Sequence, residues 1–103
     1  GPVLAVVPFD SEEDAIRIAN DSKFGLAAGV WTRDAARGIR MAERIAAGTV
    51  YINNYFNATT QSPVGGYKQS GYGRENGIEG MKAFLQTKSV WLATEPNQPN
   101  PFA

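Results

Sequence analysis

An α/β fold, a mostly parallel sheet with crossover helices, is what this sequence predicts, and three observations predict it. Short β-branched runs alternate along the chain with segments of helical period, the order that builds strand–helix–strand crossovers. The first of those runs, Val3–Val7, is continuously apolar, as a buried strand is, and the last, Thr87–Ala93, alternates as a half-buried strand does. The two longer helical segments open on residues that cap helices. At 103 residues the chain has room for one domain at most, near the lower edge of independent folding.

Val3-Leu4-Ala5-Val6-Val7 reads as a buried strand, ended by Pro8-Phe9. Asp10 and Ser11 then offer overlapping N-caps, with Glu13 and Asp14 at capping-box spacing. The helix they open runs to about Asn20 and presents Ala15, Ile18 and Ala19 to a core. Phe24-Gly25-Leu26 breaks that pattern, and Ala27 to Trp31 reads as a second strand. Thr32 or Asp34 starts a second helix with Ala35, Ile39, Ala42 and Ala46 on one face and Met41 and Ile45 beside it. Gly48 stands where a helix C-terminal glycine belongs. Thr49-Val50-Tyr51-Ile52 is the clearest strand. Asn53 to Arg74 is a loop of about twenty residues, a length that is usually functional in a compact domain. A third helix is expected from Glu75 or Asn76 to about Leu85, with Ile78, Met81 and Phe84 as its apolar side, then a last strand over Thr87 to Ala93. Three helices over this many strands leave apolar surface bare, so the missing cover is expected from more of the same protein or from another copy.

Composition removes several function classes. Ten basic and ten acidic residues cancel, which leaves no electrostatic footprint for nucleic acid or an anionic membrane. No apolar run reaches the roughly 18 residues that span a bilayer, and no signal-peptide layout opens the chain. The sequence has no cysteine and no histidine, so thiol nucleophiles, imidazole bases, disulfides and the usual zinc sites are excluded within it. The lack of cysteine is compatible with a cytoplasmic location. Gly1-Pro2 reads either as a protease scar from a tag or as the continuation of a longer protein.

The most informative passage is Pro63-Val64-Gly65-Gly66-Tyr67-Lys68-Gln69-Ser70-Gly71-Tyr72-Gly73-Arg74-Glu75. Four glycines in thirteen positions mark a backbone that turns sharply or approaches another group closely. The spacing is neither that of a P-loop nor that of a dinucleotide fingerprint. The passage resembles the C-terminal signature of the aldehyde dehydrogenase family. So, in the same order, do Gly1-Pro2-Val3, Phe24-Gly25-Leu26-Ala27-Ala28-Gly29-Val30, Ala47-Gly48-Thr49-Val50-Tyr51-Ile52-Asn53 and Lys88-Ser89-Val90. Together they cover residues 1–92 and are most similar to the betaine-aldehyde-dehydrogenase-like branches.

The resemblance implies the C-terminal part of an NAD(P)-dependent enzyme that oxidises an aldehyde to a carboxylate through a cysteine thioester. The nucleophilic cysteine, the general-base glutamate and the dinucleotide domain would lie outside this chain, so the chain alone is expected to be inactive. Residues 1–86 would belong to the catalytic domain, 87–93 to an oligomerisation strand and 94–103 to a flexible proline-rich tail. Glu75 matches a glutamate of a charge relay, whose alternative role is to cap the following helix. Lys68 and Gly71 match main-chain carbonyl ligands of a monovalent cation, possible K+, against the alternative of an ion-free turn. Tyr55, Ala58, Gln61 and Val64 match the wall of the aldehyde tunnel, against ordinary loop packing. Many relatives carry an aromatic ring at Val64, and often at Ala58. Small residues there remove a ring face that attracts a quaternary ammonium, which argues against betaine aldehyde itself. The strand over 87–93 would pair with a neighbouring subunit to make a homo-oligomer, with Trp91 as an interface anchor or as a core residue. The other reading of the whole chain is a free-standing oligomerisation or binding module without enzymatic activity.

Overall fold

The computed structural model describes residues 1–94 and 99–102. Its elements are α1 (Glu12–Asn20), β1 (Phe24–Gly25), β2 (Ala27–Val30), α2 (Ala35–Arg44), β3 (Thr49–Ile52), β4 (Tyr67–Lys68) and α3 (Gly77–Lys82).

The centre is a crossover unit, β2–α2–β3. β2 and β3 run parallel, with Ala27 opposite Thr49 and Val30 opposite Ile52. The pairing continues past both ends of the strands: the Gly48 N–H donates to the Gly25 carbonyl and the Asn53 N–H to that of Val30. A parallel pair needs a long return, and α2 supplies it. Asp34 caps α2 by accepting from the Arg37 N–H, as Ser11 caps α1 by accepting from that of Asp14. Buried Val30, Ile45 and Ala47 make the core, with Ala28, Met41 and Val50 half-buried against it.

The helix faces differ from those expected. In α1 the buried residue is Ile16, while Ala19 is exposed. In α2 the inward stripe is Gly38, Met41 and Ala42, continued by Ile45 at the C-cap; Ala35 and Ile39 face out. Gly38 explains the rotation. A Cβ there would stand 2.9 Å from Ile52 Cγ2, so the glycine lets α2 lie close on β3. α1 is tied to α2 by charge: Glu12 pairs with Arg37 and Arg40, and Glu13 with Arg44. Hydrogen bonding from Arg40 holds the Glu12 carboxyl below its ordinary value, and Arg44 does the same for Glu13. Asn20 adds a polar clasp, donating to the Arg44 carbonyl and accepting from the Ala46 N–H.

The described chain differs from six expectations. Val3–Val7 forms no strand, and Val3, Leu4 and Val6 lie more than four-fifths exposed. Thr87–Ala93 likewise has no ladder, with Trp91 94% exposed, so Trp91 is no core residue of the described chain. A strand exists only where a second backbone accepts its hydrogen bonds, and neither segment meets one among the described residues. The sheet is therefore not one mostly parallel layer. It is a parallel pair, β2–β3, beside an antiparallel pair, β1–β4. Phe24-Gly25, expected as a break, is strand β1. Gly48 is not a helix cap, since α2 ends at Arg44 with Ile45 as its C-cap. The helix expected over 75–85 is the six-residue α3, and Ile78 and Met81 on it, with Phe84 just beyond it, are exposed. Of the tail, residues 95–98 and 103 lie outside the described residues.

The bare apolar surface expected from the sequence is present. A cleft of about 730 Å³ between α1, β2 and α2 is lined by Ile18, Val30, Trp31, Met41 and Ile45. Among the described residues no helix is long and apolar enough to cross a membrane.

Candidate functional site

The long loop leaves β3 at Asn53, whose φ of 53° is left-handed. Asparagine tolerates that conformation better than most residues, and here its side chain is used as well. Oδ1 accepts from the Thr32 N–H and Nδ2 donates to the Thr32 carbonyl, each at 2.8 Å. The loop exit is thus stitched to the end of β2. Tyr55 follows, half-exposed, edge-on to Tyr51 at 5.3 Å and tilted against Trp31 at 6.4 Å. Trp31 folds over Gly29, where a Cβ would lie 2.5 Å from its ring.

The glycine-rich passage closes on itself. Its neck is the pair Val64 and Glu75, which exchange both main-chain hydrogen bonds at 2.8 and 2.7 Å. Just inside the neck the Gly65 carbonyl presses on the Cα of Gly48 in the space a Cβ would fill. The tip is β4, antiparallel to β1 with Tyr67 opposite Gly25 and Lys68 opposite Phe24. Two further bonds fix the tip: the Gly25 N–H donates to Ser70 Oγ and the Gln69 N–H to the Lys23 carbonyl. The Lys68 ammonium donates to the carbonyls of Asn20 and Ser22 at 2.9 and 3.0 Å. Those carbonyls are at and just past the end of α1, where the helix dipole favours a cation. Between neck and tip, Arg74 Nη1 donates to the carbonyls of Gly66 and Gly73, and the guanidinium lies 5.5 Å from the Tyr67 ring centre.

The structure thus divides the expected site residues into two places. Tyr55 belongs to the aromatic group at the ends of β2 and β3. Val64 and Glu75 meet at the neck, and Gln61 lines an apolar hollow with Ile78 and Met81 of α3 and Phe84 just past it. Ala58 is exposed between the two. The four wall residues do not converge on one pocket among the described residues. Glu75 does not cap α3: Asn76 is the N-cap, and Glu75 spends its backbone on Val64. Its carboxylate is exposed and takes part in none of the ion pairs of the described residues.

Two groups can be tested against these residues. Lys68 and Gly71 bracket a tight turn with φ of 54° and 118°. The Lys68 ammonium is spent on α1, which is what a main-chain role for Lys68 in holding an alkali cation requires. Side-chain ligation has no candidate, since no group of three Asp or Glu side chains is placed for a metal among the described residues. A dinucleotide does not fit the glycines. The Cβ space of Gly65 is filled by Gly73 and Arg74 and that of Gly66 by Ser70, so these glycines admit protein rather than a pyrophosphate.

Sequence reading missed the parts that frame the loop. Arg74 between a glycine and a glutamate, Asn53 directly after a strand, and the pair Gly48 and Gly65 were the signals available. Each becomes legible only when its contact is seen.

Residues 1–90 match the model of the aldehyde dehydrogenase family. The chain is 48% identical over 95 residues to the NADP/NAD-dependent aldehyde dehydrogenase PuuC of Escherichia coli, covering 92% of this chain and 19% of that protein. It is 51% identical over 92 residues to a betaine aldehyde dehydrogenase of Brucella anthropi, covering 89% and 19%. Among solved structures, the betaine aldehyde dehydrogenase of Staphylococcus aureus in complex with NAD+ superposes with a TM-score of 0.94 at 44% identity, covering all of this chain and 20% of that one. The chain therefore spans about a fifth of the length of the relatives it matches. A match along nearly the whole chain, carried by the framed glycine loop and the β2–α2–β3 unit, places this protein in the aldehyde dehydrogenase family.

Proposed function

We propose that this chain is the C-terminal part of an NAD(P)-dependent aldehyde dehydrogenase that converts an aldehyde to a carboxylate, and that it is inert alone. The observation that carries this reading is the pairing of a family match over residues 1–90 with a core that, among the described residues, consists of the buried apolar side chains of Ile16, Val30, Ile45 and Ala47. Such a core leaves Val3, Leu4, Phe84, Val90, Trp91 and Leu92 bare, surface that the rest of the enzyme or a neighbouring subunit would cover. NAD(P), held by residues outside this chain, would accept the hydride.

Within that enzyme, Tyr55, Ala58, Gln61 and Val64 would line the approach of the aldehyde. The small side chains of Ala58 and Val64 favour a wide entrance. Glu75 would relay protons away from the catalytic base. Its exposed, unpaired carboxylate, fixed through the backbone at the neck, is a group that a lysine from elsewhere could meet. Main-chain carbonyls of Lys68 and Gly71 would hold a monovalent cation, K+ by preference for hard oxygens. Residues 87–93 would pair with a neighbouring subunit in a cytoplasmic homo-oligomer, Trp91 serving as an anchor.

Two measurements test the proposal. The purified chain with NAD+ or NADP+ and a panel of aliphatic and quaternary-ammonium aldehydes should form no reduced cofactor. The same chain replacing the corresponding segment of the Staphylococcus aureus enzyme should restore reduction of NAD+. Turnover by the isolated chain, or a folded chimera inert toward every aldehyde, would refute it.

A further inference from the structure

Arg74 is not among the residues expected to touch substrate or cation, yet its side chain reaches back into the glycine loop. Its Nη1 donates to Gly66 O at 3.1 Å and to Gly73 O at 2.6 Å, drawing the two limbs of the loop together. Its guanidinium sits over Tyr67, the first residue of β4. Its side chain also fills the Cβ space of Gly65, with Cδ at 2.7 Å from that point. These contacts run from Gly65, beside the neck of Val64 and Glu75, to Tyr67, where the tip begins. A flat, permanently charged guanidinium can lie over a ring while one of its amino groups donates to two carbonyls; an ammonium offers no such face.

We infer that Arg74 is the positioning residue of this loop: it couples the docked tip to the neck and so sets where Val64 and Glu75 stand. The inference rests on the proposed function for the meaning of that placement, but the placement itself is physical. The neck is one isolated pair of backbone hydrogen bonds, with no further ladder beside it. Such a pair opens easily unless the chain on both sides is restrained. Arg74 is covalently next to Glu75 and supplies that restraint through Gly66, two residues beyond Val64. The charged hydrogen bonds it makes to carbonyls are stronger than neutral ones.

Hydrogen exchange of the amides of Val64 and Glu75 is the first readout, taken in the chain and in its Arg74→Lys, Arg74→Gln and Arg74→Ala variants. Both amides should exchange about tenfold faster in each variant, while those of β3, Thr49–Ile52, keep their rates. Millimolar guanidinium should restore slow exchange to Arg74→Ala, and equal urea should not. The second readout uses the chimera described above, where Arg74→Lys should lower kcat and alter its pH profile at a melting temperature close to that of the unsubstituted chimera. Four results would overturn the inference: fast exchange at both amides in the unsubstituted chain, unchanged exchange in the variants, acceleration equal to that in β3, or an unaltered kcat. An unsubstituted chimera that folds but is inert would instead overturn the proposed function, and the exchange data would still decide the role of Arg74.

Discussion

Alanine at Gly48 and alanine at Gly38 both add one methyl group to a buried or half-buried glycine, yet only the first should destabilise the chain strongly. At Gly48 the new Cβ meets backbone: it overlaps the Gly65 carbonyl oxygen, stands 2.8 Å from the Gly65 carbonyl carbon and 3.4 Å from Leu26 O. Backbone cannot rotate away. The loop neck must lift, loosening the Val64–Glu75 pair, or the start of β3 must shift off β2. Overpacking costs about 1–3 kcal/mol when side chains absorb it, so a backbone clash belongs at the upper end, about 3 kcal/mol. At Gly38 the nearest atoms are Ile52 Cγ2 at 2.9 Å and Thr32 Cγ2 at 3.4 Å, γ-methyls of β-branched side chains that are stiff at χ1 but, unlike a backbone carbonyl, are relieved by a shift of α2 of a few tenths of an ångström. Replacing a mid-helix glycine by alanine stabilises α2 by about 1 kcal/mol, which offsets crowding of the same size. Thermal unfolding followed by circular dichroism measures both. With about 4–8 °C per kcal/mol in a domain of this size, Gly48→Ala should lower the midpoint by roughly 12–24 °C and Gly38→Ala should leave it within a few degrees. A Gly48→Ala variant as stable as the parent would show that the neck does not press on β3. The close-approach explanation of that glycine would then be wrong.

Acid should loosen α1 from α2. Arginine hydrogen bonds lower the carboxyls of Glu12 and Glu13 in the folded chain from the ordinary 4.5. Their contribution is therefore present above about that pH and is lost as pH falls through the lowered folded values. Glu12→Gln should flatten the fall of the urea midpoint between pH 5 and pH 3, a change seen by comparing the two titrations; identical pH profiles would exclude the pairing as a source of stability. Asn53 supplies both a left-handed backbone and two hydrogen bonds to Thr32. Asn53→Ala should cost about 2 kcal/mol, and Asn53→Gly about 1 kcal/mol because glycine keeps the positive φ without strain. Urea unfolding ranks the two, and an equal loss would mean that the conformation carries none of the effect.

What the sequence made legible follows from what kind of information each element needs. β3 is a local fact: four adjacent residues, each of them β-branched or aromatic, flanked by a glycine and an asparagine. The caps at Ser11 and Asp34 are local too, since donor and acceptor lie three residues apart. The face of α2 was misjudged because alanines recur at several helical spacings, and the residue that fixes the rotation, Gly38, has no side chain to count. Val3–Val7 and Thr87–Ala93 carry the composition of strands, but a strand is half of a pair and their composition says nothing about where the other half is. The signature over 63–75 located the candidate site and identified the family. It could not indicate that Gly48, seventeen positions upstream of Gly65, would receive the loop, or that Arg74 would turn inward while Lys68 reached for α1.

The way the loop is held separates residues that can change from residues that cannot. Its shape comes from backbone pairs and from glycines: Val64 with Glu75, Gly25 with Tyr67, the Gly48–Gly65 contact and the carbonyls gathered by Arg74. Of the expected wall residues, Ala58 and Gln61 are exposed and Tyr55 and Val64 are only part-covered. Replacing an exposed side chain shifts stability by less than about 0.5 kcal/mol as a rule, whereas moving the frame disturbs β1, β3 and the end of α1 together. A wall built this way can exchange its lining side chains without losing its position. An oxidoreductase family needs that freedom if one scaffold is to admit aldehydes of different bulk and charge. If Ala58 and Val64 line the approach of the aldehyde as proposed, their small side chains would carry information about the substrate, while the glycines and Arg74 fix the scaffold whatever the substrate is.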